Sequence, residues 1–164
     1  MNETQKIARL YVPDGVAHGA YTHVVGNYFW TMTDTEFDNE LKQYLSDLFV
    51  ADQSVTGTEF YLNIQPGLIS FGGHFLLTEN ETVPIDIRQK NKFSNADFAD
   101  KVESYHKQST NKGLNKWNKA FFKIKSNGQV IREFIWDEVW EQEEINSYHG
   151  QTGLARQKWY WDEK

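Results

Sequence analysis

The stretch NKAFFKIKSNGQVIREFIWD, from Asn118 to Asp137, decides the fold class because it describes two strands and the turn that joins them. Asn127-Gly128 is a pair that readily adopts the positive φ angles of a tight hairpin turn. Apolar side chains alternate with polar ones on both sides of that pair, as in strands that bury one face. The stretch therefore predicts an antiparallel sheet.

Two registers are open for this hairpin. A two-residue loop places Lys123 opposite Arg132, which is a like-charge pair. A three-residue loop shifted by one residue places Lys123 opposite Glu133 and Phe122 opposite Phe134, which is the more favourable pairing. In both registers most of the charges lie on one face, and the other face carries the apolar side chains expected in the core: Phe122, Ile124, Phe134 and Trp136.

Further strands are predicted from runs of β-branched and aromatic residues. Pro66-Gly67 suits a type II turn, and Pro13-Asp14-Gly15 is also a turn signal. The predicted strands are Lys6 to Val12, Ala20 to Met32, Thr58 to Gln65 and Leu68 to Thr78.

Two helices are predicted to pack on the sheet. The first begins with the capping box Thr33-Asp34-Thr35-Glu36, and its apolar stripe is Phe37, Leu41, Tyr44, Leu45 and Leu48. The second runs from Asn95 to about Lys107, is capped near Ser94, and has the stripe Phe98, Val102 and Tyr105. With 164 residues, the chain is expected to form one α+β domain over residues 1–164, an antiparallel sheet with two principal helices packed on it.

The charges are unevenly distributed along the chain. The net charge is −6, with −5 in residues 32–52, +5 in residues 91–126 and −4 in residues 127–164. There is no cysteine, which excludes disulfides and thiolate chemistry. The N-terminal residues contain no long apolar run, and no segment is long enough to cross a membrane. We therefore expect a cytoplasmic protein with no membrane partner.

No motif in the sequence predicts an enzyme. The spacing of the histidines provides no set of three or four close metal ligands, so no metal or cofactor is expected. These histidines are His18, His23, His74, His106 and His149. The best alternative is a small-ligand site or active site near Gly72, Gly73 and His74, where glycines interrupt a strand pattern. A sheet bulge explains the same glycines.

The block from Lys107 to Lys125 offers a third hypothesis, nucleic-acid binding. Its lysines, interleaved with Trp117, Phe121 and Phe122, could follow a phosphate backbone and stack on bases. The block contains no arginine, and the chain as a whole is acidic. A solvated face, or an internal partner for the acidic segments, explains the lysines better.

The acidic segment from Asp137 to Glu144 surrounds Trp140 with carboxylates. A tryptophan inside a charged rim is typical of a binding hot spot. A short acidic helix with one core tryptophan is the alternative. The first candidates for partner binding are Asp137, Glu138, Trp140, Glu141 and Glu144, and the second are Asp34, Asp38, Glu40 and Asp47.

The string KWNKAFFKIKSNGQVIREFIWDE, from Lys116 to Glu138, resembles the C-terminal hairpin of YezG-like bacterial immunity proteins. The resemblance implies an antitoxin of polymorphic or contact-dependent growth inhibition systems. Such a protein catalyses nothing and binds a cognate toxin, here expected to be a basic RNase or DNase, by covering its active-site region. On this hypothesis, replacing Glu138, Trp140 and Glu141 with alanine should weaken binding without lowering thermal stability.

Overall fold

The computed structural model describes residues 21–24, 32–46, 48, 55–78 and 81–162, and these form an α+β fold, as predicted. The strands are β1 Tyr21–Val24, β2 Gly57–Gln65, β3 Leu68–Thr78, β4 Glu81–Pro84, β5 Lys119–Lys125 and β6 Val130–Ile135. The helices are α1 Asp34–Leu45, α2 Lys92–Thr110 and α3 Glu138–Thr152. The predicted strand at Lys6 to Val12, the turn after it, His18 and Asp47 lie outside the described residues, as does most of the predicted strand from Ala20 to Met32.

All six described strands belong to one antiparallel sheet in the order β1-β3-β2-β5-β6. β4 also pairs with β3, along the part of that strand beyond its pairing with β1. The predicted β2–β3 and β5–β6 hairpins are both confirmed. β6 ends this order, so its side chains are more exposed than those of β5.

The preferred register of the β5–β6 hairpin is wrong. The loop has three residues, but it is Ser126 to Gly128, so Lys123 faces Ile131 and Phe122 faces Arg132. Gly128 adopts a φ of +89° and donates its N–H to the Lys125 carbonyl over 2.9 Å. A glycine in this conformation at the end of a three-residue loop closes the turn with a bulge, and that geometry fixes the register.

This register places Arg132 on the same face as Phe122, not with most of the charges. The Arg132 guanidinium bonds both carboxylate oxygens of Asp38, at 2.5 and 2.6 Å, and donates to the Tyr105 hydroxyl over 2.6 Å. Tyr105 in turn donates to Asp34 over 2.6 Å, and burial raises the pKa of its phenol. These contacts join β6 to α1 and α2.

The main core lies between α1, α2 and this face of the sheet. Phe98 of α2 stacks on Tyr44 at 4.2 Å and meets the edge of Phe71 at 5.1 Å, while Phe37 stacks on Tyr105 at 4.2 Å. The predicted apolar stripes of both helices are buried. Phe134 and Trp136 were expected in the core but are only partly covered, because β6 lies at the end of the sheet order.

The predicted start of α1 is confirmed, and that of α2 is corrected. Thr33 caps α1 by accepting the Glu36 N–H over 3.2 Å. For α2 the cap is Asn91, which accepts the Ser94 N–H over 2.8 Å, so the helix starts earlier than predicted. Asn95, predicted to be near the cap, lies inside the helix and accepts a hydrogen bond from the Tyr44 hydroxyl over 2.6 Å.

The C-terminal end of the chain packs against α2. Trp159 is buried beside His106, with ring centroids 5.5 Å apart. His106 is itself fully buried, and its Nε2 hydrogen-bonds to the Trp117 carbonyl over 2.7 Å. Because a carbonyl only accepts hydrogen bonds, Nε2 of His106 carries the proton. In the neutral imidazole, Nδ1 is then unprotonated. Burial lowers the pKa of His106 to about 4, and Lys107 also lowers it.

This histidine predicts a loss of stability in acid. The unfolded chain takes up a proton near pH 6.5 and the folded chain does so only near pH 4. The contribution of neutral His106 is therefore fully present above pH 6.5 and is lost as the pH falls toward 4, by about 1.4 kcal/mol per pH unit. His106→Gln keeps a donor near Nε2 but does not titrate. Denaturant unfolding across this range should show a shallower pH dependence for the variant, and identical slopes would contradict this placement of His106.

Candidate functional site

Asp137, the first residue of the candidate segment, is a structural cap. It is 3% exposed, and its carboxylate accepts the Trp140 N–H over 2.9 Å, which starts α3. Its other carboxylate oxygen meets the Lys119 ammonium at 3.1 Å, and Lys119 is completely buried. The Asn118 side chain bonds the backbone N–H and carbonyl of Asp137, at 2.7 and 3.0 Å. No partner could reach this carboxylate without unfolding the start of the helix.

Trp140 and Glu141 are also internal. Trp140 is 4% exposed, and the Lys119 ammonium lies 4.9 Å from the centre of its ring. Glu141 is 8% exposed, pairs with Arg156, and accepts a hydrogen bond from Trp159 Nε1 over 3.2 Å. The prediction that these residues form an exposed hot spot is therefore wrong, and the alternative of an acidic helix with a core tryptophan is confirmed for Trp140.

The remaining two first candidates have different surroundings. Glu138 is exposed. Glu144 is half-buried. Burial raises the pKa of its carboxyl group, and a hydrogen bond from Gln65 partly opposes this shift.

Strand alternation places Gln65 and Lys119 on the opposite face of the sheet from Phe122. α3 therefore lies on the face opposite α1 and α2.

The outward side of α3 carries a shallow groove of about 440 Å³, and its floor includes Val139, which is 58% exposed. The groove is lined by Glu138, Val139, Gln142, Glu143 and Asn146. Sequence reading missed Val139 and Glu143 as site residues because it grouped the carboxylates by proximity along the chain. The signal was the helical spacing of positions 139, 143 and 146, which places them on one side.

The second half of α3 is supported by few contacts. Every residue from 145 to 155 is exposed, including Ile145, Tyr148 and Leu154. The helix contains four carboxylates, Glu138, Glu141, Glu143 and Glu144, and no lysine or arginine. The helix is therefore an acidic projection with scattered apolar side chains.

The described members of the second set of candidates all contact other parts of the molecule. Asp38 pairs with Arg132, and Asp34 accepts from Tyr105, as described above. Glu40 lies 2.6 Å from the Lys101 ammonium of α2. Asp38 and Glu40 are therefore engaged in ion pairs that join α1 to its neighbours, whereas the Asp34 side chain remains 64% exposed. The role of these residues in partner binding stays a prediction.

The alternative site at Gly72, Gly73 and His74 lies in the middle of β3. A Cβ on Gly73 would stand 2.1 Å from the Glu59 carbonyl oxygen, so this glycine permits close approach of β2 and β3. His74 lies opposite Glu59, which also accepts from Tyr61 over 3.2 Å. Half-burial lowers the pKa of His74, and Glu59 acts in the opposite direction.

The lysine block does not form the arrangement that nucleic-acid stacking requires. Trp117 and Phe122 are buried in the core, and Lys119 is buried beside Asp137. Lys107 pairs with Glu103 at 2.8 Å.

Among the described residues, no three His, Cys, Asp or Glu side chains are grouped so as to hold a metal ion.

Comparisons with known proteins add no family: no family model matches the chain, and a search of curated proteins finds no match. The resemblance to YezG-like immunity proteins therefore stays a prediction. None of the helices in the described ranges is long and apolar enough to cross a membrane.

The geometry reverses the expectation for alanine substitutions in the acidic segment. Trp140→Ala removes a buried ring and should lower the free energy of unfolding by about 3–5 kcal/mol. Glu138→Ala, on the exposed side of the same helix, should change it by less than about 1 kcal/mol. Chemical denaturation of both variants measures the difference. Equal, small effects would mean that Trp140 is not part of the packed structure.

Proposed function

We propose that this chain is an immunity protein that binds and neutralises a basic bacterial toxin, a nuclease, in the cytoplasm. The binding surface is the outward side of α3. The protein performs no chemistry and needs no cofactor. It inhibits by covering the basic region through which the toxin binds its nucleic-acid substrate.

One observation carries this proposal: an acidic helix projects from the domain and presents an exposed apolar side chain between carboxylates. Val139 lies in the groove with Glu138 and Glu143, and both carboxylates are exposed. The inner carboxylates Asp137 and Glu141 are already neutralised by buried cations. Glu138 and Glu143 lie on the exposed side of the helix, where an approaching partner can reach them.

The charge pattern fits a partner that itself binds a polyanion. A nuclease needs a basic cleft, and α3 presents the exposed carboxylates Glu138 and Glu143 on a helix that contains no lysine or arginine. Complementary charge accelerates association and selects against acidic partners, while a desolvated apolar contact slows dissociation. Val139 supplies that contact on this surface.

The proposal is tested by pairing this protein with the product of the adjacent upstream gene. Co-expression should rescue growth, and the purified proteins should bind with an affinity that falls as salt is raised, because exposed charges are screened. Val139→Asp should weaken binding by about tenfold or more. The double charge reversal Glu138→Lys with Glu143→Lys should weaken it at least as much.

Glu81→Lys is the control for the single reversal Glu138→Lys, since Glu81 is likewise an exposed carboxylate but lies on β4. The control variant should bind the partner within about twofold of the unmodified protein, because an exposed charge outside the contact surface contributes little to affinity. If the control weakens binding as much as the α3 variants, net charge and not the α3 surface is responsible. If the neighbouring protein is neither toxic nor bound, the proposed function is wrong.

A further inference from the structure

The C-terminal strap, residues 156–162, returns from the end of α3 to the body of the domain. Gln157 packs against Gly67 in the β2–β3 turn, and Trp161 packs against Gly113 after α2. Trp159 and Trp161 stack at 4.8 Å, and Trp159 is buried next to Trp136 at 5.9 Å. The strap is thus anchored to elements that are distant from α3 in sequence.

Glu141 is the point at which the strap meets α3. One carboxylate oxygen, Oε1, accepts the Trp159 Nε1–H over 3.2 Å and pairs with the Arg156 guanidinium. The side chains of Arg156 and Glu141 are 6% and 10% exposed. A buried carboxylate is tolerated where a cation and hydrogen-bond donors compensate its lost hydration. Here both compensating groups come from the strap.

The second oxygen of Glu141 is buried and has no hydrogen-bond partner among the described residues. One Arg156 nitrogen, Nη1, is in the same condition. Such partly satisfied polar contacts stabilise less than a complete network would. The contact therefore joins the strap to α3 but stabilises the fold less than a fully hydrogen-bonded network would.

α3 needs such a fixed point because only its first half contacts the domain. Its first turn is held by Asp137 and Trp140 and its middle by the hydrogen bond between Glu144 and Gln65, but residues 145–155 are exposed. A helix of 15 residues is marginal in water by itself, and its stability comes from packing. Glu141 is one of its two buried residues, and the other is Trp140.

We propose that the strap is a latch that fixes α3, with Glu141, Arg156 and Trp159 as positioning residues for the partner-binding side of the helix. The latch orders α3 before the partner arrives. The conformational-entropy cost of ordering the helix therefore does not reduce the binding affinity. This consequence for binding rests on the proposed function, whereas the latch itself can be tested on the free protein.

The direct test is amide hydrogen exchange of the free protein, read separately for α3 and for strands β2 and β5. Trp159→Phe keeps a ring in the core but removes the donor to Glu141. Arg156→Met removes the cation but keeps an apolar stem. Each should accelerate exchange in residues 142–152 by about fivefold or more and leave the strands within about twofold, as expected for one lost charge-assisted hydrogen bond.

Lys158→Ala is the control, since Lys158 is an exposed strap residue. It should leave exchange in α3 unchanged. Unchanged α3 exchange in both latch variants would overturn the proposal. Equal acceleration in α3 and in the strands would also overturn it, because the strap would then support the whole fold and not α3. Neither result depends on whether a toxin partner exists.

Discussion

The side of the molecule that carries α3 depends on the buried ion pair between Lys119 and Asp137. Lys119 lies in β5 with no solvent exposure, and Asp137 starts α3 immediately after β6. An ion pair of this kind contributes little net stability, because desolvation offsets most of the attraction. The ion pair instead fixes where α3 begins, because a helix that began at another residue would leave the Lys119 ammonium buried without the Asp137 carboxylate. Asn118 and Trp140 complete the arrangement around the same two residues.

This pair divides the acidic segment into two functional classes. Asp137 and Glu141 face inward and are compensated by Lys119 and Arg156, so they belong to the architecture. Glu138 and Glu143 face outward with Val139 between them in the groove. A run of acidic residues that looks uniform in the sequence is therefore half internal support and half exposed surface. The same division holds on α1, where Asp38 and Glu40 serve internal pairs.

Capping, helical spacing and turn signals in the sequence predicted those elements that are determined by neighbouring residues. The Thr33 cap and the apolar stripe of α1 were found because both follow from helical spacing, and Asn127-Gly128 identified the hairpin. The register was missed because charge pairing was given more weight than the backbone conformation of Gly128. The partner of Arg132 could not be predicted from local spacing, because Asp38 lies far away in the sequence.

The sequence could locate the acidic segment that contains the candidate site, but it could not tell which of its residues are exposed. Nothing between Glu138 and Thr152 forms an apolar stripe, so periodicity could not tell which side of α3 is buried. Glu141 is buried where Trp159 and Arg156 of the strap contact it. Such a long-range contact leaves no trace in local spacing. The aromatic triplet Trp159 to Trp161 was the available signal that the C-terminus packs on the domain.

Carbodiimide labelling of carboxylates in the folded protein, read by mass spectrometry, tests this division most directly. The structure predicts rapid labelling of Glu138 and Glu143, and labelling of Asp137 and Glu141 only under unfolding conditions. Uniform labelling of all four carboxylates in the native protein would contradict the account, because it would mean that the acidic segment is exposed throughout.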